Sequence, residues 1–420
     1  MNFSSFITLT IFLNICSSAY VEKINIVGND YTKINIIERE IFHPIPGEFD
    51  STLAAQDRDR LYNLGLFSTV KIYESDSIYN IFLVETFRIL PLPLIEYDEG
   101  QGLSLGAGVA LLNFQGLNQQ LALGLVKGKQ EMLFFNFKDP WAYGNHGSLK
   151  MEIMRFNSTS PIYNRSYRKS DILIGSGFYK GKNNKFELRL GFQEILMDST
   201  INSINSNKLN LVDIDKSKFH YISGYFKYEN DTRNIYSDPS KGSRFKIIIH
   251  PKIEILSNQN RLSIDLSYKK YFSAQKLLFD PVFSIKSQVL MKYTRDLPVF
   301  DQEYIGGEGF VRGYSPIIQE NNLLIQKQIE GSQIIYNSLQ IQHTLLNRQD
   351  YGGIEGGVDL VYFIDAGLSS QSLSTFKISN FLIGYGFGFR FFISGAGLIS
   401  IDFGFNQYGD LFIHPADGNY

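Results

Sequence analysis

The residue with the most definite chemistry in this sequence is Arg312. It lies in Tyr304-Ile305-Gly306-Gly307-Glu308-Gly309-Phe310-Val311-Arg312-Gly313-Tyr314, one cation among glycines and aromatics. The glycines permit tight turns and close backbone approach. A guanidinium is a planar fork of donors that fits a carboxylate with two parallel hydrogen bonds. A carboxylate is available downstream in Phe363-Ile364-Asp365-Ala366-Gly367. Alternation there puts Val358, Leu360, Tyr362 and Ile364 on one apolar face and Phe363, Asp365 and Gly367 on the other. A lone carboxylate on an interior face wants a cation, and Arg312 supplies one. The chemistry expected of the pair is a charge-assisted tether that fixes a loop. Gly384, Gly386 and Gly388 leave room for such a loop against the neighbouring wall.

Other chemistry is not signalled. There is no H-E-x-x-H, G-x-S-x-G or C-x-x-C, and Cys16 is the only cysteine. Gly124 to Lys129 and Gly175 to Lys182 miss the phosphate-loop spacing. The histidines are scattered. No catalytic residue, metal site or cofactor is expected. A formal net charge of −2 gives no electrostatic pull toward nucleic acid.

The elements that must position Arg312 and Asp365 are strands. The chain is rich in Phe (34), Tyr (25) and Gly (36), which favours strands with bends. From about Pro91 onward the pattern is period two. Phe186, Leu188, Leu190 and Phe192 alternate with Glu187, Arg189, Gly191 and Gln193. Leu262, Ile264, Leu266 and Tyr268 alternate with Ser263, Asp265, Ser267 and Lys269, and Ile399 to Asn406 repeats the theme. Such runs have one large apolar face and one polar or small face. No helical stretch is available to cover the apolar faces. A closed membrane barrel, with lipid outside and a wet lumen inside, accounts for both.

Sixteen runs are expected, near 91–98, 103–112, 119–127, 130–138, 147–156, 170–180, 185–196, 218–228, 243–255, 261–272, 282–294, 333–345, 356–366, 381–392, 398–406 and 410–420. The first and last are the weakest, since Pro91, Pro93 and Pro415 interrupt them. Proline is tolerated at sheet edges, so closure through a poorly hydrogen-bonded seam is expected there. The Asn- and Ser-rich stretch from Asp198 to Lys218 reads as an external loop.

Residues 20–87 read differently. A short strand from Val21 to Asn29 is followed by helical stretches around Ile34 to Ile41 and Ser51 to Leu64, with Leu53, Leu61 and Leu64 as the buried face. Gly65 ends the second helix, and strands follow at Thr69 to Tyr73 and Tyr79 to Val84. The order is β-α-α-β-β, a compact α+β module. Residues 1–19 read as a secretory signal peptide, an apolar run before Ser17-Ser18-Ala19.

Taken together these motifs resemble the Omp85 superfamily, the BamA/TamA-like assembly factors and surface-antigen-D15-like proteins of the outer membrane. Val311-Arg312-Gly313-Tyr314, with Gly306 and Gly307 ahead of it, matches the family's sixth-loop motif. Phe363, Asp365 and Gly367 match its F-x-D-x-G strand motif. Asp139-Pro140-Trp141 and Asp231-Thr232-Arg233 with Pro239 and Gly242 are similar to two further family segments. Leu61-Tyr62-Asn63-Leu64-Gly65-Leu66-Phe67 resembles the helix-to-strand junction of a POTRA domain. Gln340 stands about where many members carry a Glu that contacts the loop arginine, so Arg312 is expected to depend mainly on Asp365.

The resemblance implies an all-β transmembrane barrel of about 16 antiparallel strands (88–420), preceded by a single POTRA domain (20–87) in the periplasm. It implies a protein that inserts or assembles others in the outer membrane. The implied partners are the lipid bilayer, unfolded outer-membrane or secreted polypeptides and periplasmic accessory proteins. A two-partner-type polypeptide secretion pore and a passive channel are the alternatives.

Overall fold

The computed structural model describes residues 19–98, 102–128, 130–144, 147–159, 166–197, 218–256, 259–274, 281–294, 300, 303–307, 309–314, 330–351, 354–393 and 397–416. The expected signal peptide up to residue 18, the Asp198–Lys218 loop except Lys218, and the terminal Tyr420 lie outside them.

The N-terminal module contains β1 (Tyr20–Val21), β2 (Lys23–Val27), α1 (Ile34–Glu38), β3 (Gly47–Glu48), α2 (Ser51–Asn63), β4 (Phe67–Ser75) and β5 (Ile78–Glu85). Its sheet has the order β2-β5-β4, with β2 parallel and β4 antiparallel to β5. The β-α-α-β-β reading holds, with β1 and β3 added as a short pair. Asp50 caps α2, accepting from the backbone N–H groups of Thr52 (2.7 Å) and Leu53 (3.2 Å). Gly65, at φ +71°, terminates it.

The buried face of α2 differs from expectation. Leu61 is buried, but Leu53 and Leu64 are only half-buried, and Ala54 and Asp57 take the interior positions. Asp57 is fully buried because its neighbours satisfy it. It accepts from the Phe42 and His43 N–H groups (3.0 and 3.1 Å), from Tyr79 Oη (3.0 Å) and from Arg60.

The second unit is one sixteen-stranded antiparallel sheet. Its strands are β6 (Ile89–Asp98), β7 (Gly102–Phe114), β8 (Gln119–Gly128), β9 (Met132–Asp139), β10 (Gly147–Thr159), β11 (Ser166–Lys180), β12 (Asn184–Met197) and β13 (Lys218–Asp231). They continue as β14 (Gly242–Glu254), β15 (Arg261–Ser273) and β16 (Val282–Thr294). After a long loop, whose neck is the pair β17 (Glu303–Tyr304) and β18 (Glu330–Gly331), come β19 (Gln333–Asp350), β20 (Glu355–Ser370), β21 (Leu382–Ile393), β22 (Gly397–Asn406) and β23 (Leu411–Ala416). All sixteen expected runs are strands of this sheet.

The period-two pattern sorts the faces as expected. Leu188, Leu190, Tyr362, Ile364 and Tyr385 point outward and are exposed, whereas Glu187, Arg189, Phe363 and Asp365 are buried inside. No helix among the described residues is long and apolar enough to cross a membrane, and the exposed apolar band on the strands does that work instead. At the ends of the sheet, β6 and β23 each pair with one neighbour among the described residues. Pro91, Pro93 and Pro415 lie in these two strands, where a missing N–H is tolerated.

The module packs on one end of the barrel. Lys33 N–H donates to Gly116 O (3.0 Å), and Asn113 donates to Thr32 (2.8 Å). Arg39 stacks 4.4 Å from the centre of the Trp141 ring. Asn63 donates to Asn234 O and accepts from Tyr236 N–H, both at 2.7 Å. Ser68 donates to Asp350 (2.6 Å), and Tyr62 donates to Glu355. These partners sit in or beside turns at the same end of alternate strand pairs.

Burial at this junction pushes the Glu40 carboxyl up to about 7, although Arg60 and Arg39 pull it down. Between about pH 4.5 and 7 the folded module therefore holds a proton that the unfolded chain has released. Its stability is expected to fall as pH rises through that window and to level off above it. Hydrogen exchange at the Ile36, Ile37 and Leu61 amides of the full chain reads this, and Glu40→Gln is expected to flatten the slope. A slope that persists in the variant assigns it to another group.

Candidate functional site: a loop seated in the barrel lumen

The loop between β16 and β19 folds back so that Val311–Tyr314 is buried. Its turn is held by backbone bonds. Val311 N–H donates to Ile305 O (2.9 Å), and Gly307 N–H donates to Val311 O (3.0 Å). Gly307 and Gly313 have φ of +96° and +92°, a region where a side chain is strained. Val311 packs with Leu290, Ile305, Ile334 and Leu382 in an apolar cluster. Gly306 bridges to Val311, and Tyr314 donates to Ile383 O at 3.1 Å. Gly367 faces Ile305 and Val311, which occupy the space a Cβ would need.

Arg312 is fully buried, and its charge is met from two strands. From β20, Asp365 accepts Nε at 2.7 Å and Nη2 at 2.8 Å, the bidentate fork. Asp365 also accepts the Arg312 backbone N–H (3.1 Å) and the Tyr336 hydroxyl (3.3 Å). From β22, Asp402 accepts Nη1 at 3.0 Å and is itself shared with Arg390 of β21. Phe363 lies flat beneath the guanidinium, 3.4 Å from its central carbon. Two cations and two carboxylates thus form one closed set inside the lumen.

Every sequence-nominated residue is brought to this loop seat, with one displacement. Gln340 donates to Ser338 Oγ (3.4 Å), and it is Ser338 that accepts from Arg312 Nη2 (3.4 Å). The expectation that Arg312 leans mainly on Asp365 is incomplete, because Asp402 supplies a second carboxylate. Asp402, Arg390, Tyr336 and His414 join the seat without a sequence motif to mark them. Asp402 carries the same signal as Asp365, a lone carboxylate on the polar face of an alternating strand. His414 Nε2 accepts from Gly313 N–H at 3.0 Å.

The glycines of β21 do make room. A Cβ on Gly384 would land on the Arg312 carbonyl oxygen, and one on Gly388 on the Asp402 carboxylate. The two further motifs are also organised locally. Asp139 accepts the Trp141 N–H (2.9 Å), and Asp231 holds Arg233 through Nε (2.9 Å) and Nη2 (2.8 Å).

A model of the Omp85 superfamily domain matches residues 113–411, most of the chain, including the loop and both carboxylate strands. The chain belongs to the Omp85 superfamily. It is an outer-membrane β-barrel of the Omp85 type. Among solved structures it is similar to BamA from Haemophilus ducreyi lacking POTRA domains 1–3. The identity is 16% and the TM-score 0.59, covering 94% of this chain and 82% of that one. It is also similar to CdiB from Acinetobacter baumannii (15%, TM-score 0.53, 94% and 71% covered) and to CdiB from Escherichia coli (13%, TM-score 0.58, 96% and 75% covered). At these identities the likeness is one of fold.

Breaking one partner of a buried ion pair leaves the other charge uncompensated, which destabilises by roughly 3–5 kcal/mol. Arg312→Ala and Asp365→Ala are each expected to lose stability of that order, and the double variant less than their sum. Denaturant unfolding of the four-member cycle measures this, and additive losses rule out the pairing. Gly384→Ala is expected to unseat the loop without altering any charge. Trypsin should then cut after Arg312 in the folded variant and spare the parent.

Proposed function

We propose that this Omp85-type barrel inserts or assembles other proteins in the outer membrane. The observation that carries this reading is the seam. β6 and β23 are the two ends of the sheet order, each with one hydrogen-bonded neighbour among the described residues and each interrupted by proline. A seam held by few backbone bonds is the place where the barrel opens at least expense, offering its edges to an incoming strand.

The N-terminal module fits this reading as a single POTRA domain, residues 20–87, on the periplasmic side. Its sheet has β2 and β4 as edge strands without a further paired strand among the described residues, suited to holding an unfolded polypeptide by strand addition. Periplasmic accessory proteins are the further partners this role implies.

A two-partner-type secretion pore and a passive channel both need an open passage. Here Val311–Tyr314 fills part of the lumen, and the module packs over turns at one end. Both features favour assembly. Depletion in the native host is the test. Outer-membrane proteins are expected to accumulate unassembled and protease-sensitive. Normal assembly with loss of one secreted polypeptide would instead support the secretion pore.

A further inference from the structure

We propose that the connection between β13 and β14, residues 232–241, is a plug that closes the module end of the lumen, and that the module holds it shut through Asn63. The connection is longer than the turns at 115–118, 181–183 and 351–354, and it is folded rather than slack. Asn234 braces it. Its side chain donates to Ser240 Oγ (3.0 Å) and accepts from the Ser240 and Lys241 N–H groups (both 3.1 Å). Arg233, held by Asp231, donates to Tyr236 O (3.0 Å). A segment braced from within in this way moves as one body.

The connection reaches across the mouth of the barrel. Asp238 accepts from Arg348 of β19 at 3.0 and 2.7 Å, and from Gln342 of the same strand at 3.2 Å. β15 and β16 separate β14 from β19 in the sheet. The contact therefore spans three inter-strand steps, roughly 14 Å at about 4.8 Å each. In the other direction, the Tyr236 ring centre lies 4.3 Å from Lys185 Nζ of β12. Tyr236 to Pro239 line a lumen cavity of about 330 Å³. Gly309 and Phe310, from the loop that enters at the opposite end, line it too.

The module grips this joint from outside. Asn63, at the end of α2, holds the backbone of the connection, donating to Asn234 O and accepting from Tyr236 N–H, both at 2.7 Å. Its neighbour Tyr62 donates to Glu355 at the start of β20, and Ser68 donates to Asp350 at the end of β19 (2.6 Å). The module thus fixes the plug relative to the strand pair on which it leans. These contacts can be released. The Asp238 and Arg348 side chains are 27% and 17% exposed, against 0% for both Arg312 and Asp365, and a partly wet ion pair holds less strongly than a buried one. Arg348 keeps Asp359 when Asp238 leaves, so no buried charge is stranded. A sixteen-stranded barrel is wide enough to leave an aqueous channel. Since Val311–Tyr314 fills only part of the lumen, a seal at the module end keeps ions from crossing. This inference stands apart from the assembly reading, and its failure leaves that reading untouched.

The test is ion conductance of the full chain in planar bilayers, with each variant first shown to give the folded band on a gel. The parent is expected to stay mostly closed. Asn63→Ala, which frees the plug from the module, and Asp238→Ala, which frees it from β19, are each expected to raise the mean conductance severalfold. In a Cys16→Ser background, Asp238→Cys/Gln342→Cys joined by a short reducible thiol cross-linker should conduct as little as the parent, even with Asn63→Ala added, and reductant should reopen it. Arg39→Gln loosens the module at Trp141 without touching the connection and is expected to match the parent. A parent that conducts as an open pore overturns the proposal, as does parent-like conductance in either Asn63→Ala or Asp238→Ala. A cross-linked chain that stays open, or Arg39→Gln as open as Asn63→Ala, overturns it as well.

Discussion

The structure depends on the burial of one guanidinium. A fully buried cation is tolerated only where opposite charge and hydrogen-bond acceptors surround it. Arg312 obtains these from Asp365 and Asp402 on two different strands, with Arg390 closing the charge balance. The requirement reaches outward. The strands must carry their carboxylates on the inner face, their neighbours must be glycines where the loop backbone approaches, and the loop must turn back through Gly307 and Gly313. Each of these is a local oddity, and the buried charge explains them as a set.

The same loop touches the seam. Gly313 donates to His414, which belongs to β23, the strand with a neighbour on one side only. A change in the position of β23 therefore alters a hydrogen bond at the centre of the loop. Loop and seam are therefore linked directly by this contact, without a relay through the rest of the wall.

Most of this was legible in the sequence, for a physical reason. A strand between lipid and water must alternate, so all sixteen strands announced themselves, down to the prolines at the two ends. The Arg312–Asp365 pair was legible because each is a lone charge on an apolar background. Asp402 carries the same signal, but pairing one cation with one anion leaves no demand for it, and nothing in its strand's alternation sets Arg390 apart from an ordinary polar-face residue. His414 was hidden because nothing in a strand's alternation says which distant backbone amide will meet it. In the N-terminal module, leucine spacing misplaced the buried face of α2. Asp57 sits at the core because the Phe42 and His43 amides, distant in sequence, converge on it.

The placement of Arg312 has a consequence for the order of assembly. Its carboxylate partners lie 53 and 90 residues further along the chain, and His414 lies 101 residues beyond Gly313. A chain delivered from its N-terminus presents the loop well before any of them. Until β20 and β22 are in place, the guanidinium has no counter-charge and stays in water. Seating the loop is thus a late event, made slow by long-range contacts more than by loop entropy, which grows only with the logarithm of length. The buried seat of the loop is complete only once both carboxylate strands are in the wall.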